Sequence, residues 1–84
     1  MKLSELKNGQ SGMVKSLTCG EKTNFRLGRM GLTEGVTVTL VRRAPPGDPI
    51  EIKVRDFFLA IRLTEADKIE VTPARYEKAG DKNV

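Results

Sequence analysis

Apolar and polar residues alternate along three stretches of this chain. Val36, Val38 and Leu40 alternate with Thr37, Thr39 and Val41, and Ile50, Ile52 and Val54 alternate with Glu51 and Lys53. Phe57, Leu59, Ile61 and Leu63 alternate with Phe58, Ala60 and Arg62. A period of two predicts strands with one buried and one wetter face. On that parity Phe57 points inward and Phe58 outward. Arg55-Asp56 reads as a two-residue hairpin connection, which needs a positive φ that aspartate tolerates less well than glycine. Met13 to Leu17 predicts an earlier strand. Val14 and Leu17 both call for burial but lie three apart, and a bulge at Lys15-Ser16 would bring both to one core. Lys68 to Thr72 predicts a last strand with Ile69 and Val71 inward, ended by Pro73.

Helical signals are short. Leu3 to Lys7 reads as a single turn that Ser4 can cap, with Leu3 and Leu6 facing one core. Thr18 to Lys22 reads as a loop. Thr23 or Asn24 is positioned to cap a helix through Met30. Leu27 and Met30 fall on one face of it and Phe25 near the edge of that face, so all three are assigned to the core. Gly31 stands where a left-handed terminating residue belongs, with Leu32 as its folded-back apolar partner. Gly28, in the helix interior, either permits close approach of the helix or simply weakens it. Thr64 to Asp67 reads as a capping-type start followed by at most one turn. From Ala74 to Val84 the chain is polar and aperiodic. The expected organisation is one domain over residues 1–73 and a flexible tail over 74–84, with Tyr76 as its one anchor.

About five short strands with one short inserted helix bury a shared face most readily by curling. The expected fold is mainly β: a small SH3-like β-barrel. Between the second and third strands stands Arg42-Arg43-Ala44-Pro45-Pro46-Gly47-Asp48-Pro49. Three prolines fix φ and remove three donors, so this tip projects as a stiff loop flanked by cations. It serves either as a contact surface or only to pin the turn.

The 84 residues bound the protein to one small core. The net charge of +4 raises the question of a nucleic-acid partner. Carboxylates interleave with the cations, however, and the chain has no tryptophan and only four aromatics, so a solvated mixed-charge surface is the expectation. No apolar run reaches the roughly 20 residues of a membrane span. The opening residues lack a signal-peptide core, and Cys19 is the only cysteine. A cytoplasmic protein without membrane insertion is expected.

Histidine is absent, which removes the commonest general base and transition-metal ligand. One cysteine cannot build a thiolate zinc site, and the glycines form no phosphate loop. No enzyme activity, cofactor or metal site is expected.

Arg26-Leu27, Met30-Gly31-Leu32, Gly35, Val38 to Pro45 and Gly47-Asp48-Pro49-Ile50-Glu51-Ile52 together resemble the FeoA family, small cytosolic proteins of bacterial ferrous-iron transport. Leu3 to Gly12 is similar to the family's start, and Leu59 to Arg62 with Ala66, Ile69 and Val71 to its end. The sequence departs from it at Asp56, where members often carry glycine, and at Gly28, where they often carry a leucine-rich or charged helix. The resemblance implies an SH3-like barrel and a non-enzymatic accessory role. Its implied partner is the membrane ferrous-iron transporter with its cytosolic GTP-hydrolysing domain. Candidate contacts are Arg42, Arg43, Pro45, Pro46, Asp48 and Pro49 at the tip and Arg26, Leu27 and Met30 on the helix. Two alternatives stand beside this: a nucleic-acid-binding barrel, and a metal-responsive domain like the C-terminal domain of iron-dependent repressors, which shares the fold. A monomer or weak homo-oligomer is expected.

Overall fold

The structure is a computed structural model and describes residues 1–74. A 3-10 turn at Leu3–Glu5 leads into β1 (Ser11–Leu17), α1 (Glu21–Arg29), β2 (Thr37–Arg43), β3 (Ile50–Val54), β4 (Phe57–Ile61), α2 (Leu63–Ala66) and β5 (Ile69–Pro73). All five strands lie antiparallel in one sheet of order β4-β3-β2-β1-β5. The sheet curls over its core but β4 and β5 do not pair, so the expected barrel is left open on that side.

The alternation accounts for the core. Val36, Val38, Leu40, Ile50, Ile52, Val54, Ile61, Ile69 and Val71 are all buried at the inward parity, with Leu3, Leu6, Leu27 and Leu32 closing over them. The bulge expected in β1 is present: the β1–β5 register shifts between Val14 and Ser16. A second bulge, in β2 between Leu40 and Arg42, has no signal in the alternation of that stretch. It moves Arg42 opposite Glu51 on the outer parity and Arg43 opposite buried Ile50 on the inner parity. The strand therefore takes in both arginines, and the tip shrinks to residues 44–49.

Several local expectations change. Helix α1 begins at Glu21 within the expected loop, with Gly20 before it. Asn24 lies inside the helix, and its side-chain amide donates to the Leu17 carbonyl at 3.0 Å and accepts from the Cys19 N–H at 3.1 Å. Ser4 does not cap its turn; its hydroxyl donates to the Asp67 carboxylate. Leu63 opens α2 and is not a strand residue. The positive φ of the β3–β4 hairpin falls on Arg55 (55°), not on Asp56. Phe57 is 39% exposed at the hairpin end of the edge strand, with its ring beside Gly31 at the α1 exit. Tyr76 lies outside the described residues.

The end of α1 follows the expected design. Gly31 (φ 93°) donates to the Gly28 carbonyl and Leu32 to the Leu27 carbonyl, both at 3.0 Å, and Leu32 is fully buried. That is the paired 5→2 and 6→1 bonding of a Schellman end. A Cβ at Gly31 would also stand 3.2 Å from the Phe57 ring.

Candidate interaction surface

Three shallow grooves join into one band across the molecule. The first, about 390 Å³, lies beside the tip between Arg42, Ala44, Pro45, Pro49, Glu51 and Ala60. The second, about 550 Å³, runs along α1 between Lys22, Thr23, Phe25, Arg26, Arg29 and Met30. The third, about 410 Å³, is bounded by Arg26, Pro49, Ala60, Ile61, Arg62 and Glu65. Pro49 and Ala60 belong to both the first and the third, and Arg26 to both the second and the third.

At the tip, the charged side chains are tied into the fold. Arg43 donates from one guanidinium nitrogen to the Ser4 carbonyl at 2.6 Å and the Leu6 carbonyl at 3.0 Å. It thereby fastens the end of β2 to the N-terminal turn, which is the direct product of the β2 bulge. Asp48 accepts the backbone N–H of Leu63 at 2.9 Å and so holds the tip against α2. Arg42 pairs with Glu51 at 2.8 Å but stays 73% exposed. Pro45 and Pro46 are exposed and Pro49 is half-buried.

Helix α1 presents a different face. Lys22, Phe25, Arg26 and Arg29 follow the spacing i, i+3, i+4, i+7 and form one exposed stripe. Phe25 is 68% exposed, which reverses its assignment to the core. The Arg29 guanidinium stands 5.9 Å from the Phe25 ring centroid, a cation–π distance. Arg26 reaches across to Glu65 at 2.6 Å and links α1 to α2. Met30 is half-buried at the helix end, and Leu27 is fully buried, so Leu27 offers no surface to a partner.

Phe25 was legible in principle. It lies two residues from Leu27, hence about 200° around the helix, and cannot share the face that Leu27 buries. Glu65 and Ala60 carry no sequence signal, since their place in the band depends on how α2 and β4 come together.

Cys19 is half-buried, and its thiol donates to the Glu65 carbonyl at 3.4 Å. Burial, with the Glu65 charge as a lesser cause, pushes its pKa up. A thiol held protonated in this way is a poor nucleophile at neutral pH. Among the described residues no group of three His, Cys, Asp or Glu side chains is arranged to hold a metal ion. No helix among them is long and apolar enough to cross a membrane.

Known proteins with this pattern agree with one another. A Porphyromonas gingivalis protein named as a fusion of Fe(2+) transport protein A with the Fe(2+) transporter FeoB is 34% identical over 71 residues, 84% of this chain. Those residues are 8% of the fusion, so this chain corresponds to a small part of it. The solution structure of the FeoA protein from Chlorobium tepidum superposes with a TM-score of 0.85 at 39% identity, covering 98% of this chain and 74% of that one. Stenotrophomonas maltophilia FeoA, crystallised with zinc and described as an SH3 domain protein, gives 0.73 at 31% identity over 84% of this chain and 88% of that one. The fold is accordingly SH3-like. The FeoA domain profile matches residues 1–73, and with nearly all of the described chain inside that match, the protein belongs to the FeoA family.

Proposed function

We propose that this protein is a non-enzymatic accessory protein of bacterial ferrous-iron uptake. It acts by binding the membrane ferrous-iron transporter through the transporter's cytosolic GTP-hydrolysing domain. The observation that carries this reading is the fusion: in a relative 34% identical to this chain, the equivalent segment is joined to the transporter in one polypeptide. A covalent link raises the effective concentration of two parts far above that of separate chains, and such a link is useful to parts that touch.

The outer face of α1 is the proposed anchor. Phe25 supplies an exposed ring of the kind that dominates interface energetics, and Lys22 and Arg29 rim it with charge. A partner surface with an apolar recess bordered by carboxylates would complement it. Through Arg26 the band continues over Arg62 and Ala60 to Pro49, the exposed tip residues Pro45 and Pro46, and Arg42 at the end of β2. Glu65 and Asp48 hold that band in shape from within.

An NMR titration of the labelled protein with the soluble GTP-hydrolysing domain, with and without nucleotide, tests this. Shifts concentrated in residues 22–30 and 60–65, with smaller ones at 45–49, are expected. An unchanged spectrum at high partner concentration would sink the reading.

One observation favours a second reading, a nucleic-acid-binding module. Phe25 and Phe58 are both exposed, each with a cation 5.9 Å from its ring. Ring-plus-cation sites are the elements of a stacking platform. Tight binding of single-stranded oligonucleotides at low salt, with a steep salt slope, would favour it over the transporter reading.

A further inference from the structure

The two free edges of the sheet are treated differently. At the β5 edge, Met1 and Val71 exchange backbone bonds, with Val71 N–H to Met1 O at 2.7 Å and the Met1 amine to Val71 O at 3.1 Å, and Lys2 bridges to Glu70. The N-terminal residues thus cover that edge. At the β4 edge nothing comparable exists among the described residues. The β3–β4 hairpin has a two-residue turn, and its register pairs Val54 with Phe57, Ile52 with Leu59 and Ile50 with Ile61. These are the hydrogen-bonded pairs of such a hairpin, so the backbone N–H and C=O of Phe58 and Ala60 point away from the sheet. No described residue bonds to them.

The sequence along this bare edge is complementary to itself when reversed. Phe58 and Ala60 follow one parity of β4, Asp56 stands in the turn just before the strand and Arg62 just after it, and all four are exposed. Phe57, Leu59 and Ile61 follow the other. We propose that β4 pairs antiparallel with β4 of a second copy of this chain about a two-fold axis through Leu59, making one continuous ten-strand sheet. The register puts Phe58 opposite Ala60 of the second copy, and each such pair exchanges both backbone bonds, since in both residues these groups face outward. The large Phe58 ring, 56% exposed, lies over the small alanine. Asp56 comes opposite Arg62 of the second copy, and the symmetry supplies that charge pair twice. Neither side chain has an ion-pair partner within its own chain among the described residues. On the other parity Leu59 meets Leu59, and Phe57 meets Ile61. A shift of the register by two residues would lose the charge pairs and stack Phe58 on Phe58 or Ala60 on Ala60. The charge pattern therefore selects the second copy, in this register, as the occupant of the edge.

Five residues of edge make a small interface, so association is weak and its test runs from about 10 μM to 1 mM. Sedimentation should show the mass rising from 9.3 kDa toward twice that value over this range. The Phe58 and Ala60 amides should gain exchange protection in step with it. Arg62→Asp sets aspartate against Asp56 and should abolish the rise, and Asp56→Arg should do the same through two arginines. The double variant restores opposite charges in exchanged places and should restore the dimer. Arg62 flanks α2 without a side-chain cap, and aspartate is well suited to that position, so the fold is expected to survive. Four results would overturn the proposal: a monomer at every concentration; a dimer indifferent to either reversal; a failure of the double variant to recover; or protection of the two amides that appears only when another protein is added. The last would mean that a foreign strand occupies the edge.

Discussion

At the proline tip and the strand end that leads into it, Arg42, Arg43 and Asp48 each have a partner inside the chain, whereas on α1 neither Lys22 nor Arg29 has a carboxylate at ion-pair distance among the described residues. Both regions are basic, exposed in part and bounded by grooves of similar size. They differ in what the charges already do. A side chain satisfied within the fold must break those bonds to serve a partner, and so contributes little net binding. An arginine over an exposed ring needs no such exchange. Stiffness and charge at a loop are thus weaker pointers to an interface than unspent bonding capacity beside exposed apolar area.

The largest test of this contrast is Arg43→Ala. Two charge-assisted bonds to the Ser4 and Leu6 carbonyls disappear and leave those part-buried acceptors without a donor. A loss of about 2–3 kcal/mol in urea unfolding is expected. Arg42→Ala, at a 73% exposed position, loses only a solvent-screened pair with Glu51 and should keep the fold within about 0.5 kcal/mol. Equal costs for the two arginines would erase the distinction between them. A simultaneous reversal of both would confuse an unfolded protein with a lost interface.

The second test addresses α1. Phe25→Ala removes a ring that buries little in the free protein, so stability should change by less than about 0.5 kcal/mol. Affinity for the GTP-hydrolysing domain should fall about tenfold or more, as for a central aromatic anchor. Calorimetric titration measures this directly. A substantial loss of stability with unchanged affinity would return Phe25 to the core and remove α1 from the interface.

How far the sequence could lead is clearest at these same residues. The inward parity of β2, β3 and β5, the β1 bulge and the Gly31 helix end all depend on local spacing, and all are present in the fold. The β2 bulge is different in kind. It is fixed by how Thr37–Arg43 registers against Ile50–Val54, and nothing near Val41 announces it. That single inserted residue decides which arginine faces solvent and which ties down the N-terminal turn. Asp48 is similar: its bond to Leu63 spans fifteen positions and needs α2 to be in place. The band across Pro49, Ala60 and Arg26 is wholly tertiary, so only its proline and arginine members stand out in the sequence. Phe25, like Arg29, is turned to the surface by helix geometry alone, because 100° per residue sets each of them opposite Leu27.

A third and smaller test stays at the tip. Asp48→Ala removes the acceptor of the Leu63 N–H at an exposed site, where water can replace it. A cost of about 1 kcal/mol is expected, with faster amide exchange at Leu63. If Asp48 instead serves a partner, its loss should weaken binding more than it weakens the fold.

The smallest effect should have the opposite sign. Gly28 sits inside α1, and a Cβ there would meet only the Thr33 methyl at 3.7 Å, an ordinary contact. No close approach of helix to sheet requires glycine at this position. Gly28→Ala should therefore raise stability by about 0.5–1 kcal/mol, because alanine has less backbone freedom to lose on folding. Its carbonyl accepts the Gly31 N–H, and that bond is unaffected by a methyl group. Gly31→Ala, in the same helix end, should do the reverse, since it forces a side chain to φ 93° and presses a carbon to 3.2 Å from the Phe57 ring. Thermal unfolding of the two variants side by side gives both signs in one measurement. A gain at Gly28 with no loss of partner affinity would mean that α1 presents its Phe25 face as a rigid body. A gain in stability accompanied by weaker binding would mean that the interface draws on the looseness glycine gives the helix.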